Sequence, residues 1–296
     1  MARMATIATR VEQLLGRSVV ATAAVPGGSI CTATRVRLAD GSSVLVKSRP
    51  QPPAGFFAAE AAGLGWLAEA TATGGVPVPA VEAVTDDCLV LGWIEPGKPT
   101  VEAAERFGRE LATTHAAGAP SFGHPGGGAT WIGTAPLPQD PAESWPEFYA
   151  TRRVQPYLRV ALDNNRLEPA DGAAVEQVLG RLPDLAGPAE QPARLHGDLW
   201  SGNVVWGASE HGHAVDPAAH GGHRETDLAM LALFGVPRLD RVLASYHETS
   251  PLADGWRDRV PLHQLHPLLV HAALFGGSYG AHAGLAARTL LEPARR

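Results

Sequence analysis

Residues 195–206 read "LHGDLWSGNVVW". An apolar lead-in gives way to a stretch loosened by Gly197 and Gly202, which carries Asp198 and, five residues later, Asn203. A second apolar run follows. Packing alone asks for neither an acid nor an amide at such a place. Phosphoryl transfer from ATP asks for both: a base for the attacking hydroxyl, oxygen ligands for Mg²⁺, and a cation on the phosphates. Magnesium takes the hard oxygen donors that carboxylates and amides supply. Asp198 suits the base and Asn203 a metal ligand. The short strands "NVVW" and "HAVD" around the turn "GASEHG" predict a hairpin, with Asp216 of "AVDP" as a second, charged metal ligand near Asn203. Singly, each residue has an ordinary explanation: an acid before a turn, a capping amide, an Asp-Pro turn starter. In this order and spacing, the joint chemical explanation is the better one.

Upstream, residues 18–47 read as two or three strands: "SVVATAAV", the turn "PGGS", "ICTATRVRL", the turn "ADGS" and "SVLVKS". Residues 56–70 ("FFAAEAAGLGWLAEA") show helical spacing despite Gly63 and Gly65. "VPVPAVEAV" and "CLVLGWI" (88–94) are further strands. Lysine occurs only at Lys47 and Lys98, every other basic residue being arginine, so a compact ammonium at position 47 is conspicuous. Lys47 ends an apolar strand on the face of Leu45, and Glu60 sits on the apolar stripe of the next helix. A carboxylate on such a stripe is costly unless paired. A Lys47–Glu60 pair satisfies both and leaves the lysine to hold phosphates.

From residue 100 onward the chain is mainly helical: 100–118, then, after a Pro/Gly-rich loop to about 144, "WPEFYATRRVQPYLRVALDNN", "PADGAAVEQVLGRLPDL", and the stretch from about 225 to the end. The predicted fold is therefore α+β and bilobal. Residues 1–92 form a small antiparallel β-sheet lobe with one key helix, and 93–296 a larger helical lobe.

With 296 residues, 45% of them hydrophobic and 18% charged, the chain is large enough for two lobes and far from disorder. A net charge of −6 argues against a nucleic-acid partner. No apolar run reaches the roughly 20 residues that span a bilayer, and the N-terminus reads as a short amphipathic helix instead of a signal core. Two cysteines, Cys31 and Cys88, make no disulfide framework, so a cytoplasmic setting is expected. Cys31 falls in the presumed phosphate loop, where a small buried residue is the simpler reading than a redox-linked dimer.

The stretches "LHGDLWSGNV" and "AVDPAAHGGHRETDLAML" resemble the fructosamine kinase (ketosamine-3-kinase) family, a branch of the protein-kinase-like fold that also holds aminoglycoside and choline kinases. "WIGTAPLPQ" (131–139), "WPEFYATRRVQPYL" (145–158) and "LVHAALFGGSYG" (269–280) look like segments of the same family. The resemblance implies ATP-dependent, Mg²⁺-assisted phosphorylation of a sugar hydroxyl on a ketoamine, either a small glycated amine or a glycated protein lysine, by a monomer or weak dimer. It gives Asp198 as base, Asn203 and Asp216 as metal ligands, and Lys47 with Glu60 as phosphate clamp. Asp227 corresponds to the aspartate that braces the catalytic loop, and His196 belongs to the same structural motif. Trp200 is either a wall of the sugar pocket or a core tryptophan. The segment "LVLGWI" corresponds to the hinge, its backbone near Gly92 and Ile94 meeting adenine. No G-x-G-x-x-G occurs, so the phosphate loop is the looser "VPGGSICT", with backbone N–H groups near Gly28 and Ser29. Asp216-Pro217-Ala218 stands where many kinases have D-F-G.

Rival readings are weaker. "GGSYG" (276–280) matches G-x-S-x-G, but a helix leads into it and no aspartate follows, so it reads as a packing turn. The histidines at 211, 213, 220 and 223 lack metal-site spacing and read as solvated turn residues, although His223 could face the active site as a substrate contact. Two alternatives to a ketoamine kinase remain: another small-molecule phosphotransferase, for example of aminoglycosides, and a nucleotide-binding pseudokinase. The intact set of Lys47, Glu60, Asp198, Asn203 and Asp216 favours an active enzyme.

Overall fold

Strand alternation explains the N-terminal sheet. In a computed structural model of the chain, which describes residues 6–26, 30–124 and 130–292, α1 (Ile7–Leu15) precedes β1 (Val19–Val25), β2 (Thr32–Leu38) and β3 (Ser43–Ser48). Then come α2 (Phe56–Thr71), β4 (Val81–Val84) and β5 (Cys88–Gly92). The five strands pair antiparallel in the order β1-β2-β3-β5-β4. Residues on one strand alternate between faces, and here each face finds a helix. Cys88 and Val90 of β5, with Val44 and Val46 of β3, pack toward Val11 of α1. Leu89 and Leu91 pack against Phe56, Phe57 and Leu64 of α2, with Leu45 alongside. Lys47 shares the parity of Leu45 and so points at α2, as the sequence pattern predicts.

The rest is mostly helical. After α3 (Val101–Ala116) come the short strands β6 (Trp131–Ile132) and β7 (Ala135–Pro136), then α4 (Trp145–Phe148). This runs through one π-helical stretch (Tyr149–Val154) into α5 (Gln155–Asp163), α6 (Pro169–Gly180) and α7 (Leu182–Leu185). β8 (Ala193–Leu195) leads into the quoted motif. A 3₁₀ turn (Ser201–Asn203), β9 (Val204–Trp206), β10 (Gly212–Ala214) and β11 (His220–Gly222) follow. The chain ends in α8 (Glu225–Phe234), α9 (Leu239–Thr249), α10 (Trp256–Phe275) and α11 (Tyr279–Leu291). The predicted hairpin is β9–β10, and it is flanked by a second pair, β8–β11, that the sequence pattern did not reveal. Its three residues a side are too short for a periodic signal. "GGSYG" is the turn between α10 and α11, consistent with a packing role.

Candidate active site

The two small pairs hold the site. β8 ends at Leu195 and β9 starts at Val204, so the motif between them is a loop gripped at both ends. Asp227, in the first turn of α8, accepts the backbone N–H of His196 at 2.8 Å and that of Gly197 at 3.0 Å. His115 of α3 donates Nε2–H to the same carboxylate at 3.2 Å, and its Nδ1 accepts from Tyr246 Oη at 2.8 Å. Burial works to raise the Asp227 pKa, but these donors and the nearby imidazoles hold it below the ordinary value. His196 is buried and neutral, its pKa lowered by burial. Its Nε2–H is donated to the Val215 carbonyl at 2.8 Å, while Nδ1 accepts the Asp198 N–H at 3.3 Å. One ring thus ties the loop of Asp198 to the strand that delivers Asp216. Gly197 has φ +81°, and a Cβ there would lie 2.2 Å from the Ala218 carbonyl oxygen, so only glycine fits.

Asn203 lies almost fully buried in the 3₁₀ turn and donates Nδ2–H to Asp198 O at 2.8 Å and to Asp198 Oδ2 at 3.0 Å. Its Val215 partner, N–H to Asn203 O at 3.0 Å, brings Asp216 alongside. Asp216 has φ +56°, an uncommon conformation that aspartate tolerates better than most residues. Lys47 Nζ lies 2.6 Å from Glu60 Oε1 and 2.8 Å from Asp216 Oδ1. The structure therefore brings Lys47, Glu60, Asp198, Asn203 and Asp216 into one cluster where the sheet and α2 meet the helical part.

These groups perturb one another. Burial, then the charge of Asp216, pushes the Asp198 carboxyl up to about 7, against the pull of Asn203. Burial likewise drives Glu60 upward, Lys47 pulling it back. Burial alone would lower Lys47, but Glu60 and Asp216 hold it above its ordinary value. Three carboxylates face one ammonium, a surplus of negative charge that suits a cation. The oxygens of Asp216 and Asn203 are the hard donors Mg²⁺ requires, and the Asn203 hydrogen bonds are made through its nitrogen, leaving the amide oxygen for a metal.

Other predicted positions fall out as follows. Gly28 and Ser29 lie outside the described residues. Gly92 pairs with Val44 at the end of β5 and donates its N–H to Ala80 O at 2.8 Å. Trp200 is 36% exposed, so it is no core residue; its ring folds over Gly202 and meets Phe234 edge-on at 5.9 Å. His220 and His223 are each 3% exposed, which corrects the expectation of solvated turn histidines. They follow directly on β8 pairing, which draws them inside. His223 does not face the crevice: its ring packs between Trp145 and His263, at 5.0 and 4.9 Å. Burial, then His263, lowers its pKa to about 3.

Among the described residues, His223, Glu225 and His263 bring ligand-type atoms within 4.8 Å of one another. Glu225 and the Nδ1 atoms of both histidines are hydrogen-bonded, His263 Nδ1 to Thr226 Oγ1 at 2.9 Å, while His263 Nε2 lies 3.3 Å from Glu225 Oε2 without a hydrogen bond. Glu225 takes a two-pronged ion pair from Arg259, at 2.9 and 2.6 Å, and Glu225 N–H is donated to His223 Nδ1 at 3.2 Å, which leaves the His223 proton on Nε2. The group is a structural network. Sequence reasoning missed it, and also missed His115, whose one signal was a histidine on the apolar stripe of α3.

A profile described as fructosamine kinase matches residues 3–292. A probable ketoamine kinase of Thermus thermophilus is 39% identical over 255 residues, covering 86% of this chain and 87% of its own length. A chloroplastic protein-ribulosamine 3-kinase of Arabidopsis thaliana is 32% identical over 268 residues, 88% of this chain and 79% of its own. Among solved structures, a protein from Thermobifida fusca assigned as a fructosamine-3-kinase superposes with a TM-score of 0.90 at 50% identity, covering 97% of this chain and 98% of that one. A macrolide 2'-phosphotransferase of Brachybacterium faecium, at 16% identity and TM-score 0.63 over 97% and 98% of the two chains, shows the shared bilobal kinase-like fold alone.

Proposed function

The chain belongs to the fructosamine kinase family, and from that membership we propose that it transfers the γ-phosphoryl group of ATP to a sugar hydroxyl of a ketoamine, with Asp198 as base. Kinase activity and the ketoamine acceptor follow from the family and its named relatives; the residue roles are inferred from the site. The observation that carries them is the double pairing of Lys47 with Glu60 and Asp216, beside an Asp198 that Asn203 holds by its carboxylate and its carbonyl.

The acceptor hydroxyl meets Asp198, whose carboxylate takes its proton as the oxygen attacks phosphorus. Asn203 keeps the carboxylate oriented. Lys47, anchored by Glu60, turns from Asp216 to the phosphates. Asp216 and Asn203 would hold Mg²⁺, which on binding neutralises charge on the transferring group. The backbone near Gly28 and Ser29 would cradle the phosphates. Adenine would be met at Ile94, since the Gly92 N–H is donated to Ala80. The indole of Trp200, exposed two residues beyond Asp198, suits the C–H face of the sugar. Among the described residues no helix is long and apolar enough to cross a membrane, and Cys31 and Cys88 are both unpaired, as suits a cytoplasmic enzyme.

The test is ATP consumption with Mg²⁺ against a panel of fructosamines, ribulosamines and aminoglycosides. Turnover is expected with ketoamines. Turnover with aminoglycosides alone would overturn the acceptor assignment, and nucleotide binding with no turnover on any acceptor would favour a pseudokinase.

A further inference from the structure

α2 carries two interior glycines, Gly63 and Gly65, where a helix disfavours glycine. Their surroundings differ. A Cβ at Gly65 would meet no atom of the described residues within 4 Å. A Cβ at Gly63 would lie 3.3 Å from Ala219 Cβ and 3.4 Å from Pro217 Cγ. Pro217 and Ala219 follow directly on Asp216, and Gly63 is three residues beyond Glu60, on the same side of the helix. The turn that presents Glu60 therefore lies at glycine distance from the segment that presents Asp216, and Lys47 spans the two carboxylates. One turn further along, Arg194 reaches the same helix. Its Nη1 donates to the Trp66 carbonyl and, at 3.0 Å, to Glu69 Oε2, while its guanidinium lies 4.6 Å from the centre of the Trp66 ring. Arg194 sits in β8, four residues before Asp198.

We propose that Gly63 and Arg194 are positioning residues of the phosphoryl-transfer site. Gly63 sets the distance between α2 and the Asp216 segment, and Arg194 moors α2 to the strand that feeds the catalytic loop. With Pro217 after Asp216, the helix is fixed against a rigid neighbour, and Glu60 and Asp216 are held at a set separation on either side of Lys47. The proposal rests on the kinase reading above and assigns residues that touch neither substrate nor metal.

Gly63→Ala and Gly65→Ala separate positioning from stability, because both improve helix propensity. Each is measured for melting temperature, for calorimetric affinity toward Mg-ADP, and for kcat and KM with the wild-type acceptor. Gly65→Ala should melt at or above wild type with unchanged nucleotide affinity and kcat. Gly63→Ala sets its new methyl 3.3 Å from Ala219 Cβ, so Ala219 must give by a few tenths of an ångström, with Pro217 already in van der Waals contact at 3.4 Å. It should melt no lower than wild type yet lose about tenfold in Mg-ADP affinity or in kcat, with the acceptor KM unchanged. Arg194→Met should lower the melting temperature but show the same loss in Mg-ADP affinity or kcat with the acceptor KM unchanged, and Arg194→Lys should recover part of both losses. These two decide the matter should Gly63→Ala fold poorly. Gly63→Ala indistinguishable from Gly65→Ala, or Arg194→Met with wild-type nucleotide affinity and kcat, overturns the proposal. Because the Mg-ADP measurement needs no acceptor, a wild type that binds nucleotide but ignores ketoamines refutes the acceptor assignment alone, whereas a wild type that binds no Mg-nucleotide refutes the kinase reading and the proposal with it.

Discussion

Replacing Asp198 by asparagine should stabilise the protein while abolishing its turnover, and the stabilisation should depend on pH. The carboxyl is harder to ionise in the folded chain, at about 7, than in an unfolded one, near 3.8. Between these values the native state holds the extra proton, so stability is highest below the lower value and drains away as pH rises through the upper. Above pH 7 the full difference of roughly three pH units corresponds to about 4 kcal/mol. An amide at the same place keeps a hydrogen-bond acceptor for Asn203 but has its own desolvation cost, which reduces the expected gain to about 2 kcal/mol. In a chain of this length that is a rise of about 4 °C in melting temperature. At pH 5 the folded carboxyl is neutral but the unfolded one is already ionised, so about 1.7 kcal/mol of the difference persists there; the amide's own desolvation cost offsets it, and the net shift should be close to zero. Thermal melts of both proteins at pH 5 and pH 8, without nucleotide, make the comparison. Phosphoryl transfer should fall by about a hundredfold or more at both. An equal shift at the two pH values would refute the strained-carboxylate argument, and turnover above a tenth of wild type would refute the assignment of the base.

Lys47→Met leaves Glu60 and Asp216 without their cation; a loss of about 3 kcal/mol is expected at pH 8 and less at pH 5.5, where Glu60 can neutralise itself, with urea titrations as the measurement. Trp200→Ala should raise the acceptor KM about tenfold and leave the ATP KM unchanged, which steady-state kinetics with each substrate varied will read out. Mg-nucleotide binding near pH 7 should release up to about half a proton, and nearer one at pH 6, as the metal drives Asp198 to its ionised form, visible as a dependence of calorimetric heat on the ionisation enthalpy of the buffer.

Much of the site is legible in the sequence because its constraints are local. Asp198, Gly202 and Asn203 sit within one loop and act on neighbours a few residues away, whereas Gly197 in the same loop is required by Ala218, 21 residues on. Lys47 and Glu60 are legible for a different reason: strand parity and helix spacing each fix a face, and a charged residue on an apolar face demands a partner. What stays hidden depends on contacts distant in the chain. β8 and β11 are three-residue strands whose pairing shows only in their register, Leu195 opposite His220. That pairing is why His220 and His223 are interior, where composition suggested a solvated turn. Gly63 and Gly65 look alike in the sequence; the difference is the presence of Pro217 and Ala219, more than 150 residues on, against only the first.

The electrostatics explain why these constraints coexist at one crevice. Glu60, Asp198 and Asp216 outnumber Lys47, and the raised pKa values of Asp198 and Glu60 are the cost of that imbalance in a place that water reaches poorly. A stable fold could relieve it with an amide or an apolar residue at any of the three positions. Instead the protein keeps Asp216 in a left-handed conformation, seats an unfavourable glycine in α2, and spends His115, His196 and Asp227 on holding one loop. Local rules are broken together where the charge imbalance lies, as expected when stability is given up for function; the helical part has its own departures, a π-helical stretch at Tyr149–Val154 and the prolines Pro261 and Pro267 inside α10. Lys47 is the cation that offsets this surplus, paired with Glu60 and Asp216 at once; on the proposed mechanism a metal at Asp216 would take over its charge there and leave the ammonium for the phosphates.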